Sequence, residues 1–305
     1  MSGETVLQGI ELGVGTWAWG DALVWGYGSS YGEADAQAAF DASLAAGVRF
    51  FDTAESYGRG QSERLVGRFV RNAGEAVIVA TKFMPFPWRL RQDDLLKALR
   101  ASLRRLGMER VDLYQIHWPF PPVPVETWAG ALAEAVEAGL ARAVGVSNYN
   151  PDQMRRAYDV LARRGVPLAS NQVEFSLLRR GPERNGLLAL CRELNVTLIA
   201  YSPLAQGLLT GKYTPETPPP GVRRVLYRGA LAKTQSLVGL LREIGQAYGG
   251  KTPAQVALNW TICKGALPIP GAKNARQAEQ NAGALGWRLT EAEVAALDAA
   301  SAKGG

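Results

Sequence analysis

Phe50-Phe51-Asp52-Thr53-Ala54-Glu55-Ser56-Tyr57-Gly58 is the stretch on which the reading of this 305-residue chain turns. Val48-Arg49-Phe50-Phe51 is a short apolar, β-favouring run closed by an acid, and it reads as a buried strand ending at Asp52. Tyr57 follows in a polar loop, ahead of a helix-like segment over 61–71. A carboxylate at a strand tip and a phenol on the next loop suit a proton donor with an electrostatic partner. The same two residues would serve equally as a helix cap and a packing tyrosine.

The next two strands end in the same way. Val77-Ile78-Val79-Ala80-Thr81 runs into Lys82, and Val111-Asp112-Leu113-Tyr114-Gln115-Ile116 runs into His117. A lysine there can simply reach for solvent, and a histidine can be a satisfied core residue. His117 is the only histidine of the chain, however, so a site that needs an imidazole has one candidate. Three successive strands delivering Asp, Lys and His at their ends form a pattern that chance rarely supplies.

Outward from this block the alternation continues. Strands are expected over 11–15, 48–52, 77–82, 111–117, 141–146, 168–174, 196–200 and 266–270. Helices are expected over 35–46, 61–71, 93–106, 126–138, 150–164, 186–194, 235–248 and 274–284, with further starts at Thr252 and Thr290. Asn150-Pro151 and Thr252-Pro253 are helix-start signatures, and Gly47, Gly107 and Gly139 are helix stops. A long irregular stretch from Ser202 to about Ala232, rich in proline, is of the kind that is usually functional. Strands alternating with helices need a parallel sheet with crossover helices. Its closed eight-fold form is the TIM barrel, with the site at the C-terminal strand ends. An open doubly wound sheet is the alternative, but no Gly-x-Gly-x-x-Gly follows the first strand.

Composition narrows the classes. The 34 basic and 28 acidic residues give a formal charge of +6. Paired arginines such as Arg104-Arg105 and Arg155-Arg156 lie in helix-like segments without interleaved aromatics, which points to a solvated surface rather than nucleic-acid binding. No run approaches the ~18 apolar residues of a membrane helix, and the first five residues are polar, without a leader pattern. Cys191 and Cys263 are far apart and outside any metal-ligand spacing, so neither disulfides nor a metal site is expected. These features suit a cytoplasmic protein, with no membrane partner.

The segments Phe51-Asp52-Thr53-Ala54 with Tyr57-Gly58, Ala80-Thr81-Lys82 and Gln115-Ile116-His117 occur in order along the chain. Gly145-Val146-Ser147-Asn148-Tyr149, Asn171-Gln172-Val173-Glu174-Phe175-Ser176, Ala200-Tyr201-Ser202-Pro203-Leu204 and Pro268-Ile269-Pro270-Gly271 follow. In this set and order the sequence resembles the aldo-keto reductases. A closer likeness, through Gly15-Thr16-Trp17-Ala18-Trp19-Gly20 and Trp25-Gly26-Tyr27, is to the pyridoxal reductase branch. The resemblance decides for a single (β/α)8 barrel domain over 1–305. It also implies NADPH-dependent reduction of an aldehyde or ketone, acting on a small-molecule carbonyl as a monomer or weak oligomer.

The likeness assigns roles residue by residue. Tyr57 would be the general acid, Lys82 would lower its pKa, Asp52 would hold Lys82, and His117 would orient the carbonyl. Gly15, Thr16 and Trp17 would border the cofactor at the first strand. Ser147, Asn148 and Gln172, which could otherwise cap helices, would bind the nicotinamide carboxamide, and Tyr201 would stack on its ring. Ser202, Leu204, Gln206, Gly207 and Lys212 would lie over the pyrophosphate. Gly271, Lys273, Gln277, Gln280 and Asn281 would grip the adenosine end, with Lys273 on the 2′-phosphate. The family often has Arg and Glu where Gln277 and Gln280 stand. Trp17, Trp19, Trp25, Trp88 and Trp118 are expected to wall the substrate pocket, which a short chain end would leave open. The alternative is a regulatory subunit of the potassium-channel β type; the intact Asp52, Tyr57, Lys82 and His117 set favours an enzyme. A lyase or hydrolase using Asp and His would leave the Tyr–Lys partnership without a purpose.

Overall fold

Side chains on a strand alternate between its two faces, and here the alternation separates two cores. The strands are β1 (Gly13–Gly15), β2 (Phe50–Asp52), β3 (Ile78–Phe83), β4 (Val111–Ile116), β5 (Ala141–Ser147), β6 (Leu168–Glu174), β7 (Thr197–Tyr201) and β8 (Leu267–Ile269). Phe50, Ala80, Leu113, Ile199, Leu267 and Ile269 point inward and, with Leu7, fill the inside of the sheet. Their neighbours Phe51, Val79, Tyr114, Val144, Val146 and Leu198 point outward into a larger core shared with the helices. A sheet covered on both faces must be apolar on both, which is why these strands read as apolar runs.

The strands pair in parallel in the order β1 to β8. Gly15 forms a parallel bridge with Gly271, and its N–H donates to the carbonyl of Pro270 at 3.1 Å, which brings the last strand back to the first. A Cβ on Gly15 would lie 2.9 Å from the Ile269 carbonyl oxygen, so this closure requires glycine. The result is an eight-stranded parallel barrel wrapped in helices, not the open sheet. The computed structural model describes residues 6–219, 224 and 228–302. The polar first five residues and the middle of the proline-rich stretch lie outside the described residues.

Helix boundaries follow the expected caps. The Asn150 side chain accepts from the Gln153 N–H ahead of Pro151–Arg163, and the Thr252 hydroxyl accepts from Gln255 ahead of Pro253–Cys263. Gln92–Leu106 ends at Gly107 in the left-handed conformation. One helix is longer than its pattern predicts. It runs over Arg228–Ala247, where the sequence expectation begins at residue 235. Buried Leu231, Thr234, Val238 and Leu241 continue its three- and four-residue spacing, and the polar Thr234 obscures the pattern. No helix among the described residues is long and apolar enough to cross a membrane.

Candidate active site

The inward positions above the apolar filling of the barrel are polar. Asp52, Lys82, Gln115, Ser147 and Gln172 occupy the C-terminal ends of β2 to β6, and all five are buried. The register makes them neighbours: Lys82 lies opposite Gln115, and Ser147 opposite Gln172. Buried charge is tolerated only where it is paired and hydrogen-bonded. The Lys82 ammonium forms a short ion pair with Asp52 Oδ1 and donates to the Thr53 carbonyl at 2.8 Å and to the Tyr57 hydroxyl at 3.3 Å. The other carboxylate oxygen of Asp52 accepts from Gln115 Nε2 at 3.1 Å and from Gln172 Nε2 at 2.9 Å. Asp52 and Tyr57 hold Lys82 above its ordinary pKa although burial pulls it down.

Tyr57 opens a 3-10 turn, Tyr57–Gly60, directly after the β2 loop. Burial is the largest influence on its phenol and leaves the pKa above the ordinary value, while Lys82 pulls it down. Lys82 therefore acts on the phenol in the expected direction, but desolvation of the phenolate outweighs the neighbouring ammonium, and the net pKa is raised rather than lowered. His117 stands edge-on to the Tyr57 ring, with centroids 5.6 Å apart and planes at 80°. Its Nδ1 is 3.5 Å from Ser56 Oγ, at the limit of a hydrogen bond. Burial, aided by the charge of Lys82, pushes the imidazole pKa down to about 3, so it is neutral at physiological pH. The four expected residues therefore meet as one group: a protonated phenol, an ammonium, the carboxylate that holds it, and a neutral imidazole.

Around this group the rim divides into parts. Ser147 Oγ donates to the Gln172 carbonyl at 2.8 Å, and Asn148 Nδ2 donates to the His117 carbonyl at 3.1 Å. The Tyr201 hydroxyl donates to Asn148 Oδ1 at 3.0 Å, fixing the half-buried Tyr201 ring at the end of β7. Just beyond β7 the backbone enters the left-handed region at Ser202, Ala205, Gln206 and Gly207. Residues other than glycine and asparagine rarely do so; within this turn the Ala205 N–H donates to the Ser202 carbonyl at 2.8 Å and the Gly207 N–H to the Leu204 carbonyl at 3.0 Å. Lys212 is exposed, with its ammonium 5.5 Å from the Tyr213 ring centroid.

At the end of β8 a Cβ on Gly271 would meet nothing of the protein closer than the Gly15 oxygen at 3.6 Å, so the space above it is open. Asn281 Nδ2 donates to the Gly271 carbonyl at 3.2 Å, Gln277 Oε1 accepts from the Lys273 N–H at 2.9 Å, and Gln280 is exposed. Asn274 caps the Ala275–Ala282 helix by accepting from the Gln277 N–H at 3.1 Å. The Lys273 ammonium donates to the Trp25 carbonyl at 2.7 Å. Polar side chains at the ends of β5 and β6, the Tyr201 ring, a left-handed turn and a helix N-terminus thus follow one another along the rim, a set that fits a dinucleotide.

The tryptophans separate. Trp17 lies near-parallel to Tyr57, with centroids 6.2 Å apart, and Trp25 stands edge-on to Trp17 at 5.5 Å. Trp118 stacks with Phe120, and the largely exposed Trp88 with Phe86. Trp19 is different. It is fully buried among Phe51 and Phe69, and its Nε1–H donates to the Ala272 carbonyl at 2.7 Å. Trp19 is therefore a core residue between barrel and helices, which corrects its placement in the pocket wall. Two residues from Trp17 in a loop, it carries no sequence signal that separates the two roles. The Thr16 side chain is also buried, bonded to the Asp52 carbonyl at 3.0 Å and to Ser62 Oγ at 2.8 Å, so its hydroxyl belongs to the wall.

Two supports escape the sequence reading. Gln115 falls within a quoted motif but gains its role only from inward alternation with Leu113. Glu55 accepts from the Met84 N–H at 2.7 Å and pairs with both terminal nitrogens of Arg89, whose guanidinium lies over Phe83 and Phe86. This clamp fixes the β3 loop that carries Trp88 to the β2 loop that carries Tyr57. Nothing local in the sequence links residues 34 positions apart.

A buried strand-end Lys–Asp pair touching a loop tyrosine beside a neutral histidine, at the mouth of an eight-stranded barrel, defines a carbonyl oxidoreductase type of site. Residues 11–302 match the model of the aldo/keto reductase family, and the chain belongs to that family. It is 46% identical to the chloroplastic pyridoxal reductase of Arabidopsis thaliana over 95% of this chain and 82% of the relative. Among solved structures it is similar to the glycerol dehydrogenase of Gluconobacter oxydans (29% identity, TM-score 0.79, 96% of this chain and 91% of the other). It is similar also to an aldo-keto reductase of Klebsiella pneumoniae in complex with NADPH (28% identity, TM-score 0.75, 95% and 90%).

Proposed function

We propose that this protein reduces an aldehyde or ketone to an alcohol with NADPH, and that Tyr57 is the proton donor. The observation that carries the reading is the contact of the buried, carboxylate-held Lys82 ammonium with the Tyr57 hydroxyl at 3.3 Å. NADPH, when bound, supplies the hydride. Ser147, Asn148 and Gln172 are suited to hold its carboxamide, Tyr201 to stack on the ring, the 202–207 backbone to meet the pyrophosphate, and Lys273 to approach the 2′-phosphate. The family membership and the NADPH complex of the Klebsiella relative support that choice of cofactor.

The chain's own residues account for the proton. The Tyr57 phenol, whose pKa burial moves further up from its ordinary value, is protonated at neutral pH, as a donor must be. As the carbonyl oxygen gains negative charge, Tyr57 gives up its proton and Lys82 meets the phenolate that forms. Asp52, braced by Gln115 and Gln172, keeps the ammonium in place through this change. His117, neutral, retains one ring N–H to donate to the carbonyl oxygen and orient it toward Tyr57. Preorganised donors aimed at developing charge are the largest single source of catalysis in such sites. Tyr57→Phe removes the proton while leaving the ring against Trp17. With a saturating aryl aldehyde, turnover should fall well over about ten-fold while NADPH affinity stays nearly constant. Turnover above about a tenth of wild type would remove Tyr57 from the role.

Pyridoxal is the substrate we favour. The support is the relative named pyridoxal reductase together with the planar walls offered by Trp17, Trp25, Trp88 and Trp118. Steady-state comparison with simple aryl aldehydes at matched concentration tests it; equal or slower reduction of pyridoxal would remove this assignment and leave the reaction class intact.

A further inference from the structure

The Lys273 ammonium is held by the loop that follows the adjoining strand, β1. It donates to the carbonyl of Trp25 at 2.7 Å and lies 4.5 Å from the centroid of Tyr31 and 5.1 Å from that of Trp25. Its own N–H is bound by Gln277 at the start of the next helix, so the backbone end of this arm is fixed. The other end is a loop folded on itself by turns, with Gly28 N–H on the Tyr31 carbonyl at 2.8 Å and Ser30 N–H on the Gly26 carbonyl at 3.0 Å; it carries one helical turn, Ala22–Trp25, capped by Asp21, which also accepts from Trp17 Nε1 at 3.1 Å. A single turn is not stable alone and takes its position from outside contacts. From Trp25 the contacts continue edge-on to Trp17, and from Trp17 face-on to Tyr57.

We infer that Lys273 is a positioning residue for the carbonyl substrate: by tying the Trp17–Tyr31 loop to the β8 end of the barrel, it sets the distance of the Trp17 wall from Tyr57. The inference rests on the reductase reading for its kinetic consequence but not for the tie itself. A cation bonded to a carbonyl and flanked by two aromatic faces is a directional contact that a neutral chain of equal length cannot replace. An anion arriving at the same ammonium would compete with the Trp25 carbonyl and move the loop, which links occupancy at the β8 end to the shape of the substrate wall.

Lys273→Met keeps the unbranched apolar stem of the side chain and removes the charge; Lys273→Arg restores a cation. In the cofactor-free protein, the near-ultraviolet circular dichroism of the Trp17–Trp25 pair should weaken in Lys273→Met and return in Lys273→Arg. Trp25→Phe, which removes the pair itself, identifies the band. At saturating NADH, which brings no 2′-phosphate to the ammonium and leaves it on the Trp25 carbonyl, the KM for 4-nitrobenzaldehyde should rise several-fold in Lys273→Met, by a larger factor than kcat falls. A Lys273→Met spectrum identical to wild type overturns the proposal, and so does an unmoved aldehyde KM. If the wild type turns over no carbonyl at all, the reductase reading fails instead, and the spectrum of the cofactor-free variants still decides whether the tie exists.

Discussion

Lys82 and Lys273 stand on one rim and are held by opposite means. Lys82 has no exposed surface, and its three ammonium protons meet three oxygens: the Asp52 carboxylate, the Thr53 carbonyl and the Tyr57 hydroxyl. Lys273 is half-buried, with the Trp25 carbonyl and the faces of Trp25 and Tyr31 among its partners. The difference is between a charge that must not move and a charge that can change partners. A proton-transfer centre needs the first, because a stray ammonium would lose its hold on the phenol. A site that recognises an anion can use the second, because a carbonyl and two rings give way to a phosphate more readily than a buried carboxylate would.

The contrast breaks most visibly at Lys82. Lys82→Met leaves the Asp52 carboxylate buried with only the two glutamine amides, and removing one partner of a buried ion pair costs about 3–5 kcal/mol. Urea unfolding should show that loss, and carbonyl turnover should fall by at least about a hundred-fold, since Tyr57 loses the stabiliser of its phenolate. A stability change under about 1 kcal/mol would mean that the Lys82–Asp52 pair does not carry the weight assigned to it.

The reach of the fixed charge is measured next, at His117. Its pKa is pushed down to about 3, by burial first and by Lys82 second, against about 6.5 in the unfolded chain. Between those values the unfolded chain binds the extra proton and the folded one does not. Stability therefore rises with pH across that window and is lost as pH falls from about 6.5 toward about 3, by at most ~1.4 kcal/mol per pH unit. Since His117 is the only histidine, its imidazole resonance should stay flat between pH 5 and 8. His117→Gln should remove its part of the stability slope below pH 6.5. An imidazole titrating near 6.5 would show that neither burial nor Lys82 acts on it as argued.

The same contrast explains what the chain discloses on reading. Asp52, Lys82 and His117 terminate apolar strands, so the alternation of strands and helices puts them at one end of a parallel sheet, whereas the choice of the closed (β/α)8 barrel over an open sheet comes from the family resemblance. Gln115 and Gln172 brace Asp52 through the curvature of the barrel, from residues 63 and 120 positions away, and no local pattern carries that. Trp17 and Trp19 look alike in a loop, yet one faces the opening and the other is buried, because the loop's path is fixed by contacts with the β8 end. The net pKa of Tyr57 is hidden from the sequence for a related reason: a neighbouring charge can be inferred from residue types, whereas the depth of burial depends on the whole fold.

The smallest effect is the sharpest test of the comparison, and it concerns cofactor choice. NADPH differs from NADH by a 2′-phosphate of nearly two negative charges at neutral pH. The Lys273 ammonium stands one residue before Asn274, the cap of the Ala275–Ala282 helix, whose free N–H groups and dipole also favour an anion. A charge-assisted hydrogen bond is worth roughly 1.5–3 kcal/mol. Here the ammonium already donates to the Trp25 carbonyl, so a phosphate exchanges one partner for a better one, and the net gain sits at the low end, about ten-fold in affinity. Gln277 and Gln280 add no charge at this end. Lys273→Met should accordingly weaken NADPH about ten-fold in a fluorescence titration and leave NADH nearly unchanged. Equal losses for both would mean that Lys273 acts on the cofactor only through the loop it holds. No loss for either would mean that its bond to Trp25 is not exchanged at all, and that the second lysine is as fixed as the first.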